Sequence, residues 1–130
     1  MAYMNLSLEK ERDLILKKIK IKKIRNNLGF SRAKLAQIIG ISDKSIYRWE
    51  HEVDIKPHYD SALRISKLKE LEEKLLDTFT RENAKKWLNT PNRALGSRTP
   101  VKTIFAAETP EQGVQMIIDL LANMESGVFT

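Results

Sequence analysis

Residues 31–50 read SRAKLAQIIGISDKSIYRWE, and position by position they describe two short helices around a tight turn. Ser31 can cap the first helix, Leu35, Ala36 and Ile39 lie on one face at helical spacing, and Gly40 can take the left-handed conformation that ends it. Ser42 then caps a second helix. Ile46 and Trp49 turn that helix inward, which leaves Asp43, Lys44, Ser45, Tyr47 and Arg48 to face a ligand. A helix-turn-helix that enters the major groove needs this division: small and apolar residues where the helices touch, polar ones on the outer face of the second. The same pair fits any small helical bundle, so the charge around it has to decide.

The chain has 130 residues and a net charge of +6, and all the excess lies at one end. Residues 1–58 carry 13 Lys and Arg against 7 Asp and Glu, whereas residues 59–130 carry 10 of each. After Lys102 there are four acids and no basic residue. The basic end suits phosphate, where each neutralised charge releases counterions. The acidic end suits a basic protein surface. Cysteine is absent, which removes disulfides, thiol nucleophiles and most structural zinc sites. His51 and His58 are the only histidines and lack metal-site spacing, so no cofactor, no metal and no enzymatic activity are expected. The opening MAYMNLSLEKERDLIL lacks a signal-peptide apolar region, and no apolar run approaches the roughly 20 residues that span a bilayer. A soluble cytoplasmic protein without membrane contact is expected.

The rest of the chain reads as all-α. Ser7 can cap a helix through Leu14, Ile21, Ile24 and Leu28, whose lysines Lys17, Lys18, Lys20, Lys22 and Lys23 either face solvent or track phosphate. Pro57 marks a loop. From Tyr59 to Phe79, Ala62, Ile65, Leu68, Leu71 or Leu75, and Phe79 form an apolar stripe that either packs inside the chain or pairs with its copy in a dimer. A short helix RENAKKWLN, a turn-rich TPNRALGSRTP and two further helices follow, started by Thr99-Pro100 and Thr109-Pro110. Gly127 is expected to end the last one. The expected organisation is a DNA-binding bundle over residues 1–64, a connector helix over 65–80 and a small helical domain over 81–130.

Residues 24–63 resemble the Xre family of helix-turn-helix regulators, through Gly29, Phe30, Ser31, Leu35, Ala36, Ile39, Gly40, Ile41, Ser42, Ser45, Ile46, Trp49, Glu50 and Pro57. In that family Gln usually follows the Ser cap and touches the DNA backbone; Arg32 stands there in this chain. The resemblance implies DNA contacts from Arg32, Asp43, Lys44, Ser45, Tyr47 and Arg48. Lys44 and Arg48, one turn apart, suit guanine O6 and N7, and Ser45 suits phosphate.

Residues 84–104, AKKWLNTPNRALGSRTPVKTI, together with Gly113 and the ending MESGVF, resemble the toxin-binding domain of the MbcA/ParS/Xre antitoxins. The positions that carry it are Ala84, Trp87, Leu88, Pro91, Asn92, Leu95, Gly96, Thr99, Pro100, Gly113 and Gly127, with Ser97 where the family usually has a second Gly. Joined to an Xre-type reader, this domain implies a bacterial antitoxin. Such a protein would be a homodimer that neutralises a RES-domain, NAD-degrading toxin and represses its own operon, acting in the nucleoid at its operator. The alternative is a stand-alone regulator whose second half only dimerises. Toxin contacts are expected from Trp87, Arg93, Arg98 and the tip Gly127, Val128, Phe129 and Thr130. Trp87, Leu88, Leu95 and Pro100 also suit a core, and the tip either projects as a plug or folds back on the last helix.

Overall fold

In a computed structural model, which describes residues 20–51 and 57–125, Ser31, Ser42, Thr80, Thr99 and Thr109 each accept a hydrogen bond from the backbone N–H three residues on. These oxygens satisfy amides that the first helical turn leaves free, an effect of about 1 kcal/mol each. They set the starts of α2 (Arg32–Ile39), α3 (Asp43–His51), α5 (Arg81–Leu88), α6 (Pro100–Ala106) and α7 (Pro110–Glu125). Two further helices, α1 (Ile21–Leu28) and α4 (Tyr59–Thr78), and a 3₁₀ turn at Arg93–Leu95 complete the elements. No strand forms among the described residues, beyond one bridge between Asn92 and Arg98. The all-α expectation holds. Ser7, Leu14, Lys17, Lys18 and the tip Gly127–Thr130 lie outside the described residues.

The long helix α4 organises the bundle. Its residues Ala62, Ile65, Leu68, Leu71 and Leu75 are buried, and α1, α2, α5 and α7 all pack on it. The apolar stripe is therefore spent inside the chain, and both Leu71 and Leu75 take part. Arg64 with Glu111, Lys67 with Gln115 and Lys74 with Glu125 advance together along the two helices, so α4 and α7 lie side by side and parallel. A single core runs from Ile24, Leu28, Leu35, Ile39 and Ile46 at the reader to Leu88, Ile104, Val114, Ile117 and Leu121 at the other end. Burying each Leu or Ile contributes roughly 1.5–3 kcal/mol, so the two halves stabilise one another through α4.

Three polar ties fix the reader to this frame. Arg64 of α4 donates to the carbonyl of Ile39 at 3.0 Å, placing a cation at the C-terminus of α2 where the helix dipole favours it. Asn27 of α1 donates to Glu72 of α4 at 2.9 Å, and Lys69 reaches the same carboxylate at 2.7 Å. Glu72 is buried, and these donors compensate its desolvation. The third tie, at Glu50, belongs to the functional site.

The loop between α5 and α6 is closed by its own backbone. Asn92 N–H donates to Arg98 O at 3.0 Å, Ser97 N–H to Asn92 O at 2.9 Å, and Asn92 Oδ1 accepts from Ala94 N–H at 3.0 Å. Gly96 and Ser97 both take positive φ, 64° and 67°. Serine in this region costs roughly 1–2 kcal/mol, partly offset by the greater freedom glycine has when unfolded. Ser97→Gly is thus expected to raise stability by about 0.5–1 kcal/mol. A urea titration should show a higher midpoint with an unchanged slope; a lower midpoint contradicts this account of the turn.

Candidate functional site

The reader helix α3 presents Asp43, Lys44, Tyr47, Arg48 and His51 to solvent, while Ile46 is buried and Trp49 is packed against the core. The outward set expected from the sequence is exposed, apart from two residues that hold other partners. Ser45 is half-buried, and its hydroxyl lies 3.0 Å from that of Ser42, within the cap that starts the helix. Arg32 is half-buried and occupied by the protein itself: its Nε and Nη2 donate to Glu50 at 3.2 and 3.1 Å. Its guanidinium also lies 5.1 Å from the centre of the Tyr47 ring.

Glu50 is the centre of this arrangement. Its side chain is fully buried, and besides Arg32 it accepts from Arg25 of α1, from Nε at 2.5 Å and from Nη2 at 3.2 Å. One carboxylate thus holds α1, the start of α2 and the end of α3 in register. Burial alone would raise its pKa; the hydrogen bonds from Arg25 and Arg32 and the charges of the two guanidinium groups outweigh that and hold it below 4.5. Sequence reasoning missed Arg25. A signal existed, because Glu50 falls four residues after Ile46 and so shares the inward face, where a carboxylate needs a cation.

Tyr47 is half exposed, at 52 %, the largest value among the big apolar side chains described as exposed, and it is not loose. Its ring stacks on His51, centroids 4.2 Å apart at 28°, and His51 Nδ1 donates to the Tyr47 carbonyl at 2.7 Å. Lys20, Lys22 and Lys23 are exposed and, with Asn26, Asn27 and Arg81, line an open cleft of about 290 Å³ between α1 and α5.

At the other end, Trp87 is half-buried and lies against Phe79, ring centroids 5.6 Å apart, packed on the core rather than free. Arg93 and Arg98 flank the closed turn, are exposed, and pair with no acid among the described residues. The closed backbone below them gives two cations a fixed base. Asn92 and Gly96 serve the turn itself, as acceptor and left-handed residue. Among the described residues no helix is long and apolar enough to cross a membrane.

Residues 19–78 match the family of helix-turn-helix domains, and residues 74–127 match the family described as the antitoxin Xre/MbcA/ParS C-terminal toxin-binding domain. Together the two domains support an Xre/MbcA-type antitoxin. The two matches meet on α4, the helix that carries both ends of the core. The antitoxin is similar to the mycobacterial cidal antitoxin MbcA of Mycobacterium bovis and of Mycobacterium tuberculosis H37Rv, each 26% identical over 102 residues that span 78% of this chain and 85% of the relative. Its fold matches a chain in the crystal structure of the M. tuberculosis MbcT-MbcA toxin-antitoxin complex, with a TM-score of 0.61 and 23% identity, covering 85% of this antitoxin and 95% of that chain.

Proposed function

We propose that this antitoxin neutralises a RES-domain toxin that degrades NAD, and that as a homodimer it binds its operator in the bacterial cytoplasm and represses its own operon. The observation that carries the DNA half is the buried Glu50 clamp beneath an exposed face of Lys44, Tyr47 and Arg48, a rigid helix with donors at major-groove spacing. Residues 1–64 serve DNA, 81–130 serve the toxin, and helix residues 65–80 belong to the core of both. An enzyme that holds a dinucleotide pyrophosphate needs cationic side chains, which an acidic chain end complements. That reasoning assigns toxin contact to the tip from Gly127 to Thr130; Arg93 and Arg98, exposed without an acid partner among the described residues, would instead meet acidic groups of the toxin, and Trp87 is a further candidate contact.

The toxin half is checked by co-expression with a RES-domain protein encoded beside this gene. Full-length antitoxin is expected to co-purify with that protein and restore growth, whereas deletion of Gly127–Thr130 weakens both. Unchanged neutralisation by the shortened chain removes the tip from the interface, and failure of the full chain to bind favours a stand-alone regulator. For DNA, Lys44→Ala and Arg48→Ala are expected to cost roughly 1–3 kcal/mol per lost base contact and to relax sequence preference. Binding to the operon's promoter, followed by gel shift, checks this, and an unchanged affinity displaces the reader.

A further inference from the structure

The Arg32 guanidinium and the His51 imidazole both lie against the Tyr47 ring on the reader, and each is itself anchored. Arg32 is held by Glu50 through two hydrogen bonds, at 3.2 and 3.1 Å. His51 is held by its hydrogen bond of 2.7 Å to the Tyr47 carbonyl, which as an acceptor requires the proton on Nδ1. The phenol ring thus has two neighbours, a cation 5.1 Å from its centre and an imidazole stacked 4.2 Å away, and it still stands half exposed. The exposed half of the side chain remains for a partner.

We infer that Tyr47 reads one base pair by apolar contact with a thymine methyl, and that Arg32 and His51 are positioning residues that aim it. This rests on the DNA-binding reading above. A side chain that must contact a methyl group in the groove gains from being ordered beforehand, because the entropy of fixing it is met on folding and not on binding. The major groove is where the thymine methyl distinguishes A·T from the other pairs, and apolar side-chain surface is what recognises it. Two of the five N–H donors of Arg32 already serve Glu50, which fixes its guanidinium beside the Tyr47 ring. The substitution of Arg for the Gln that the family usually carries at this position thus has a physical use: Arg supplies a flat cation to the ring and two donors that converge on one oxygen of the Glu50 carboxylate, which Lys cannot do from one planar group.

The experiment selects duplexes from a random-sequence pool with the full-length protein, then replaces each thymine of the enriched site by deoxyuridine, which removes the methyl alone. One replacement is expected to weaken wild-type binding about fourfold, the worth of one buried methyl group. Tyr47→Ala, a surface change, should bind thymine and deoxyuridine alike at that position. Arg32→Gln and Arg32→Lys should both lose this discrimination while the slope of log affinity against log salt stays unchanged. A Tyr47→Ala protein that keeps the methyl preference overturns the proposal, as does a wild type with none. A salt slope lowered by about one in Arg32→Gln also overturns it, because Arg32 then neutralises a phosphate. If the pool yields no enriched duplex, the DNA-binding reading itself fails; an enriched site without the methyl effect fails only the role of Tyr47.

Discussion

Gly113→Ala is expected to destabilise the protein by about 3 kcal/mol or more, the upper end of what overpacking a core costs. Gly113 is buried in the first turn of α7, where a Cβ would lie 2.3 Å from the carbonyl oxygen of Ile104, 2.5 Å from its Cα and 2.7 Å from its carbonyl carbon. All three atoms belong to backbone inside α6, so no side chain can swing aside. Relief requires α6 and α7 to separate, and they carry Ile104, Val114, Ile117 and Leu121 of the core. Since small domains have only about 5–15 kcal/mol of stability, this one methyl should consume a large part of it. Denaturant unfolding of the variant checks the number, and a loss below about 1 kcal/mol would show that the helix crossing yields easily. Because α7 also packs on α2 and α4, the variant is expected to loosen the reader as well as the toxin-binding end.

The second large effect is expected at Glu50. Glu50→Gln keeps the shape but removes the charge that two guanidinium groups share, and removing one partner of a buried pair costs roughly 3–5 kcal/mol. Arg32 is more than a third exposed and Arg25 much less so, at 39% and 17%, which puts the expectation at the lower end, about 3 kcal/mol, most of it from Arg25. DNA affinity should fall further than stability predicts, since α3 loses its hold on α1 and α2. The pH dependence has a definite sign. The folded pKa of Glu50 lies below its ordinary value of 4.5, so its contribution is fully present above pH 4.5 and is lost as pH falls through the folded value. Wild-type stability measured by denaturant from pH 6 downward should decline across that interval, and the decline should shrink in Glu50→Gln. An equal acid response in both proteins would assign it to other carboxylates.

Much of the fold was legible because the signals were local. Ser31, Ser42, Thr99 and Thr109 mark helix starts through a bond that spans three residues, and Gly40 and Gly96 mark chain reversals through their own backbone angle. The apolar stripe of α4 was equally visible, but its use was not. Whether Leu68, Leu71 and Leu75 meet a second chain or this one depends on where α7 lies, and periodicity is blind to that. The candidate DNA face followed from helical spacing alone. What spacing could not reveal is that Arg32 and Ser45 have partners inside the protein, so that part of the expected contact set is structural.

The sequence by itself determined the helices, their caps, the inner and outer faces of the reader and the charge difference between the two ends, because each depends on residues within a few positions of one another. Tertiary structure decided the rest. Arg25 and Glu50 are 25 residues apart, Asn27 and Glu72 are 45 apart, and a methyl at Gly113 is excluded by a carbonyl on another helix. Such contacts carry no periodic trace, for they arise only when separate helices are brought together. Ser97 joins the two levels: its departure from the family's usual Gly is visible in the chain, and its positive φ, seen only in the folded loop, gives that departure a cost.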